Sequence, residues 1–226
     1  MILFDNVTVQ VPGWRQPITI LRDQTVLFPA RTRVSILAPA GSGRTTLARV
    51  LGGVKRPVRG RVFIEGSVGW PIGYSGLLNP TLTLAENIAH VAGLVNVTTG
   101  EIGAVVAWLC DSDKILERRV VTLAPSERAL AIYAISLAVP ADHLIADDKI
   151  IVSDARFAAR SEQLLRRRMD GAGLVFISRN AKLLERWCEK HYVMMRGSLR
   201  PIESPADGQA MLDDLDVNEE AEPQYV

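Results

Sequence analysis

The sequence is poor in the residues that make cross-links and metal cages. It holds two cysteines, Cys110 and Cys188, far apart and with no metal-ligand spacing around either, so neither a disulfide framework nor a cysteine metal site is expected. Each falls in a helical pattern and reads as a reduced packing residue, which fits a reducing compartment. The three histidines, His90, His143 and His191, are equally scattered, and structural roles are expected of them. No apolar run reaches the roughly 20 residues needed to span a bilayer; the longest, Ala129 to Ala141, is shorter and carries Ser136. The opening MILFDNV has no basic stretch ahead of its apolar residues and meets Asp5 at once, so no secretory leader is expected and the cytoplasm is the expected compartment. Aromatic residues are 6% of the chain and do not interleave with the basic ones, which argues against a nucleic-acid partner. The sequence shows no internal repeat and no low-complexity linker.

What it does have is apolar content, 48% of 226 residues, ample for a real core and suited to one large or two small domains. The net charge of +1 hides an asymmetry: eight of the 25 acids lie after residue 200 with no Lys or Arg among them, leaving the first 200 residues at +9. The basic residues are scattered and read as a solvated surface, and the run Arg166 to Arg168 reads as a helix end favoured by the dipole.

Ile2 to Val11 alternates as a strand, Pro12 and Gly13 turn it, and Ile18 to Phe28 offers an antiparallel second strand. Gly60 to Glu65 and Val68 are strand-like, and Trp70 to Pro80 is an irregular loop. Thr83 with Glu86 predicts a capped helix through about Val91, and Thr98 with Glu101 another to about Cys110. Pro125 suits the first residue of a helix that buries Leu130, Tyr133, Ala134 and Leu137. His143 to Asp148 is a short apolar strand ending in two acids. Beyond it are expected a helix over Ala155 to Met169, a strand over Leu174 to Ile177 and a helix over Asn180 to Cys188. A hairpin around Gly197 and a last helix through about Leu215 follow. This is one α/β domain over residues 1–215, with a helical insertion at about 80–140 and an acidic, flexible tail over 216–226.

The most informative stretch is RVSILAPAGSGRTTLARVL, residues 33–51, where an apolar strand breaks into a glycine-rich turn that feeds a helical pattern. Such a loop turns backbone N–H groups around an anion, and the following helix adds the positive end of its dipole. The phosphate-loop pattern is Gly, four residues, Gly, Lys and then Ser or Thr; here Ala38 stands at the first glycine and Arg44 at the lysine, while Gly43 and Thr45 match. About 100 residues later comes the apolar strand ending in Asp147 and Asp148; a Mg²⁺ bridging phosphates needs a loop hydroxyl and a strand-end carboxylate, which Thr45 and Asp147 can supply.

With the helical insertion between these two halves, the layout resembles the ATPase subunit of ABC transporters: a phosphate-loop core with an N-terminal antiparallel β subdomain. The segment Trp70-Pro71-Ile72-Gly73, with Asn79 to Thr83, Glu86 and Asn87, looks like the ATPases of capsular-polysaccharide exporters, as do Ala134 to Ala138 and Ser153 to Phe157. The resemblance covers roughly Ile2 to Leu215 and implies ATP and Mg²⁺ as ligands. It implies Ala40, Gly41, Ser42, Gly43, Arg44, Thr45 and Thr46 around the phosphates, Thr45 and Asp147 on the metal, and Trp14 as the aromatic nearest the family's adenine-stacking position, itself at about Val11. Ser126 falls in the signature that clamps a partner subunit's nucleotide, within Ala124, Pro125 and Ser126. The catalytic pair implied is Asp148, where the family has a glutamate, and Arg179, where it has a switch histidine. The family's loop glutamine falls at Gly73 or Tyr74 and is missing.

The implied role is ATP-driven export of a capsular or other cell-surface polysaccharide. The partners implied are a polytopic membrane permease, docked through about Trp70 to Pro80, and a second ATPase subunit, in a homodimer or heterodimer. The implied location is the cytoplasmic face of the inner membrane. The accumulated departures keep open a catalytically degenerate, non-hydrolysing subunit with a structural or regulatory role. A different phosphate-loop enzyme, such as a small-molecule kinase, is disfavoured because no further phosphate-clamping arginine motif or substrate lid is visible.

Overall fold

A computed structural model describes residues 1–148 and 150–221, residues 215–221 as backbone only. Strand β1 (Ile2–Val11) lies between β2 (Ile18–Phe28) and β4 (Arg59–Ile64) in an antiparallel three-stranded sheet. Its buried apolar side chains are Ile2 and Phe4, then Val7 and Val9. The period of two slips by one between them because Asn6 turns left-handed, at φ 52°, where both partner registers shift. Gly60 opposes this kink at φ +76°, and a Cβ there would run into the Asn6 carbonyl.

The second sheet runs β5-β6-β3-β7-β8, with β5 (His143–Asp147), β6 (Gly173–Ser178), β3 (Arg33–Leu37) and β7 (Lys190–Met195) parallel. The hairpin strand β8 (Ser198–Ile202) is antiparallel to β7. All six residues of β6 are buried, as a strand covered on both faces requires. Helix α1 (Arg44–Leu51) follows β3 and buries Leu47, Val50 and Leu51, the residues whose spacing predicts it. The insertion holds α2 (Leu84–Leu94), α3 (Thr99–Cys110) and α4 (Pro125–Ala138). Both predicted capping boxes form: Glu86 accepts from Thr83 N at 2.7 Å and Glu101 from Thr98 N at 2.9 Å. These hydrogen bonds hold both carboxyls below the usual glutamate value.

Helices α5 (Ala155–Met169) and α6 (Ala181–Trp187) complete the layers, with Cys188 at the end of α6 rather than within it. Burial pushes the Cys188 and Cys110 thiols up to about 12, so both stay protonated packing groups. The last helix, α7 (Pro205–Ala221), runs past the Leu215 at which the sequence pattern stops it; residues 222–226 of the expected tail lie outside the described residues.

His143 and His191 sit against the Glu65 carbonyl (3.2 Å) and the Ser35 hydroxyl (2.8 Å), and burial lowers both below the ordinary 6.5. The unfolded chain therefore takes these protons first, so their contribution to stability is complete above pH 6.5 and is lost on acidification. The lowered carboxylates begin to act only below 4.5. Thermal melts should show a falling midpoint between pH 6.5 and 5, and a His143→Gln/His191→Gln protein should show a flatter slope in that window.

Candidate functional site

The loop between β3 and α1 is held at its start by Ala38, fully buried, whose N–H donates to the Ser178 carbonyl (3.0 Å) at the end of β6. Ala40 at its tip is exposed. Ser42 closes the turn, its hydroxyl donating to the Pro39 carbonyl at 2.8 Å. Gly41 and Gly43 both take positive φ, 78° and 94°, which side chains rarely adopt. A Cβ on Gly43 would also press on Ile20 of β2 at 2.7–3.0 Å, whereas at Gly41 it would meet open space. Gly43 caps α1 without a side-chain hydrogen bond, so no side chain competes there for the first-turn N–H groups and the positive end of the dipole. That geometry fits a phosphate group.

Thr45 and Asp147, brought together from α1 and β5, meet at 2.6 Å, the hydroxyl donating to the carboxylate. One hydroxyl and one carboxylate at the edge of an anion cradle are the oxygen ligands that Mg²⁺ uses with nucleotide phosphates. Thr46 is half-buried one residue further along α1.

Asp148, which stands where the family has a glutamate, is engaged through both carboxylate oxygens. Its backbone is left-handed (φ 57°) and its N–H donates to the Ile177 carbonyl at 2.8 Å. One carboxylate oxygen accepts from the Ser178 hydroxyl at 3.0 Å, and the other pairs with Arg44 at 2.9 Å. Arg44 also donates to the Ala38 carbonyl at 3.4 Å. Arg179 lies exposed just beyond β6, ahead of Asn180, which caps α6. Trp14 is 96% exposed with Arg15 over its ring at 5.6 Å; among the described residues no contact joins it to the phosphate loop.

A cavity of about 880 Å³ opens between the core and the insertion. Thr45, Arg49, Gly73, Ser126 and Asp147 line it, so it reaches the threonine–aspartate pair and the start of α4 but not Gly41 to Arg44. Ser126 is exposed in the first turn of α4, a turn whose Ala124 N–H is taken by Glu127 at 2.8 Å. The segment Trp70 to Pro80 borders this groove. Ile72 N–H donates to the Ile145 carbonyl (2.8 Å), Gly73 N–H to the Ser136 hydroxyl (3.4 Å), and Tyr74 lies under Arg49 of α1 at 5.7 Å. Pro71 packs where a Cβ on Gly52, at the end of α1, would sit. Pro71 and Ile72 are buried, as a packing role requires, while Gly73, Ser75 and Gly76 face out.

The hydrogen-bond roles of several residues escape sequence reasoning. Asn87 is 2% exposed, accepts from Asn79 N (2.6 Å) and donates to the Asn79 and Thr83 carbonyls, so it pins the end of the loop. Its signal is a polar residue on the apolar face of an amphipathic helix. The hydroxyl of Tyr133 lies 2.9 Å from the Ile150 carbonyl and 3.1 Å from that of Ser161, joining α4 to the segment after β5. No pattern marks Ser178.

No protein-family model matches the chain. The capsule polysaccharide export ATP-binding protein CtrD of Neisseria meningitidis is 26% identical, over 84% of this chain and 87% of that protein. The polysialic acid transport ATP-binding protein KpsT of Escherichia coli is 26% identical, over 96% of this chain and all of that protein. Among solved structures, the dimeric post-hydrolysis state of the ATP-binding cassette MJ0796, bound to ADP and Pi, superimposes with a TM-score of 0.74 at 19% identity. It covers 90% of this chain and 98% of that one. The chain has the fold of ABC ATPase cassettes and is similar in sequence to polysaccharide-export ATP-binding proteins. The cassette's two sheets and its helical insertion are therefore in the order the sequence implies, with the β3–α1 loop and the end of β5 at one edge.

Proposed function

We propose that this cassette is the ATP-binding subunit of an exporter of capsular or other cell-surface polysaccharide, acting with a membrane permease and with a second cassette. The observation that carries the reading is the Thr45–Asp147 pair at the mouth of a loop with two left-handed glycines. Gly41 to Thr46 would hold the phosphates, Thr45 and Asp147 the Mg²⁺, and Arg179 would face the terminal phosphate. Bound Mg²⁺–ATP would supply the phosphoryl group whose transfer to water drives transport. Ser126 and the α4 dipole would meet the nucleotide of the second cassette. Trp14 remains a stacking candidate for the base, standing in solvent in the β1–β2 turn.

The permease would dock at Trp70 to Pro80. This segment suits that role because it bonds to β5 beside Asp147 and touches α1 through Pro71 and Tyr74. Among the described residues no helix is long and apolar enough to cross a membrane, so attachment to the inner face of the membrane would run through the permease.

The test is nucleotide binding and phosphate release by the purified protein, with Mg²⁺ and with EDTA. Binding strengthened by Mg²⁺ together with release above background is expected. Mg²⁺-dependent binding without release would leave only the non-hydrolysing subunit, and no binding would end the nucleotide reading. Affinity purification from membranes should bring down a polytopic permease, and a second ATPase beside it would make the assembly heteromeric.

A further inference from the structure

We propose that Arg44 and Asp148 form a latch across the phosphate cradle that must open before a nucleoside di- or triphosphate seats fully; this rests on the nucleotide reading above. In the resting chain Asp148 is then a positioning residue for Arg44.

The contact is built rather than incidental. Asp148 is fixed by its N–H on the Ile177 carbonyl and by the Ser178 hydroxyl on its Oδ1, with the left-handed backbone that aspartate adopts more readily than most residues. That turn carries the carboxylate from the end of β5 across the end of β6. Its Oδ2 receives Arg44 Nη2 at 2.9 Å, and Nη1 of the same guanidinium reaches the Ala38 carbonyl. The planar fork thus ties the first residue of the loop to the strand end, a span that needs two donors in fixed relation and that a single ammonium does not reproduce. The Arg44 side chain is 16% exposed and that of Asp148 39%, so solvent reaches the pair from the carboxylate side and screens it in part.

The latch sets the charge that an incoming phosphate meets. Arg44, Asp147 and Asp148 gather at the loop, one guanidinium against two carboxylates, and the guanidinium is already committed to one of them. Of the five guanidinium N–H donors, Nη2 faces Asp148 and Nη1 the Ala38 carbonyl, so a polyphosphate that takes the Nη2 position displaces Asp148. The same displacement frees the Asp148 carboxylate, so filling the cradle and releasing the acid are one event.

A carboxylate near a phosphate repels it with or without a latch, and a double-mutant cycle separates the two effects. Asparagine is the replacement at 148 because it tolerates the left-handed backbone and can still accept from Ser178. A fluorescent ADP analogue is titrated in EDTA into wild type, Asp148→Asn, Arg44→Gln and the double variant. With a latch, Asp148→Asn tightens binding roughly tenfold in the wild-type background and less than about threefold where Arg44 is already gone. Equal gains in both backgrounds would overturn the latch and leave the nucleotide site standing. Binding by none of the four proteins would remove both.

Discussion

With Asp147 replaced by asparagine, Mg²⁺ is expected to lose its effect on nucleotide binding, and any phosphate release should fall to background. The physical ground is the 2.6 Å contact between Thr45 Oγ1 and Asp147 Oδ2, which places a hydroxyl and a carboxylate where one cation can take both. Asparagine keeps the shape of the strand end and still accepts the Thr45 hydrogen bond, but it lacks the charge that a hard cation requires. A Lewis acid at a phosphoryl oxygen is worth several kcal/mol, so the loss in rate is on the order of a hundredfold or more. Binding measured in EDTA should be unchanged or slightly tighter. Thr45→Val should produce the same loss, and the double variant should be little worse than either, because the two side chains act on one ion. Retained Mg²⁺ dependence in Asp147→Asn would show that the cation sits elsewhere.

Phe176→Ala should be the most damaging single change to stability. Phe176 is fully buried in the middle of β6, paired in register with Ser35 of β3 and Ala146 of β5. It belongs to the core shared by the sheet, α4 and α6. Truncating a buried phenylalanine costs about 3–5 kcal/mol in transfer energy and cavity. In a chain of this size that lowers the melting midpoint by about 10 °C. Phe63 of β4 is 47% exposed, and Phe63→Ala should cost within about 0.5 kcal/mol. Nucleotide binding should weaken along with stability in Phe176→Ala, since β6 holds β3 and β5, and with them the loop and Asp147, at their spacing. Comparable midpoints for the two variants would contradict this account of the core.

The elements legible in the sequence are those whose cause is local. A Thr-x-x-Glu pair satisfies helix N–H groups within one turn, so Thr83 and Thr98 mark α2 and α3 without help from the rest of the chain. Glycines at 41 and 43 announce a left-handed turn because little else adopts it. The pairing of Thr45 with Asp147 was legible for a different reason. A phosphate loop and a strand-end acid are two halves of one chemical requirement, and the halves carry their own local signals.

Other features depend on contacts between distant elements. The contacts of Asp148 with Arg44 and Ser178 were not legible, because the hydroxyl of Ser178, thirty residues on, has no sequence signature. Trp14 stands in solvent, and position along a turn does not say where a ring points. Asn87 is a polar residue on a buried helix face, and its role appears only once the Asn79 backbone lies beside it.

By itself, then, the sequence determined which segments are strands and helices, where the glycine-rich loop lies and that the Thr45 hydroxyl and the Asp147 carboxylate come together beside it. Periodicity, capping and glycine conformation act over a few residues and leave their marks there. Tertiary structure alone decided that the loop's arginine is paired with Asp148 and that the Trp70 segment touches α1 and β5. Those are matters of charge and distance between groups far apart in the chain, and they exist only after β5, β6 and β3 lie side by side.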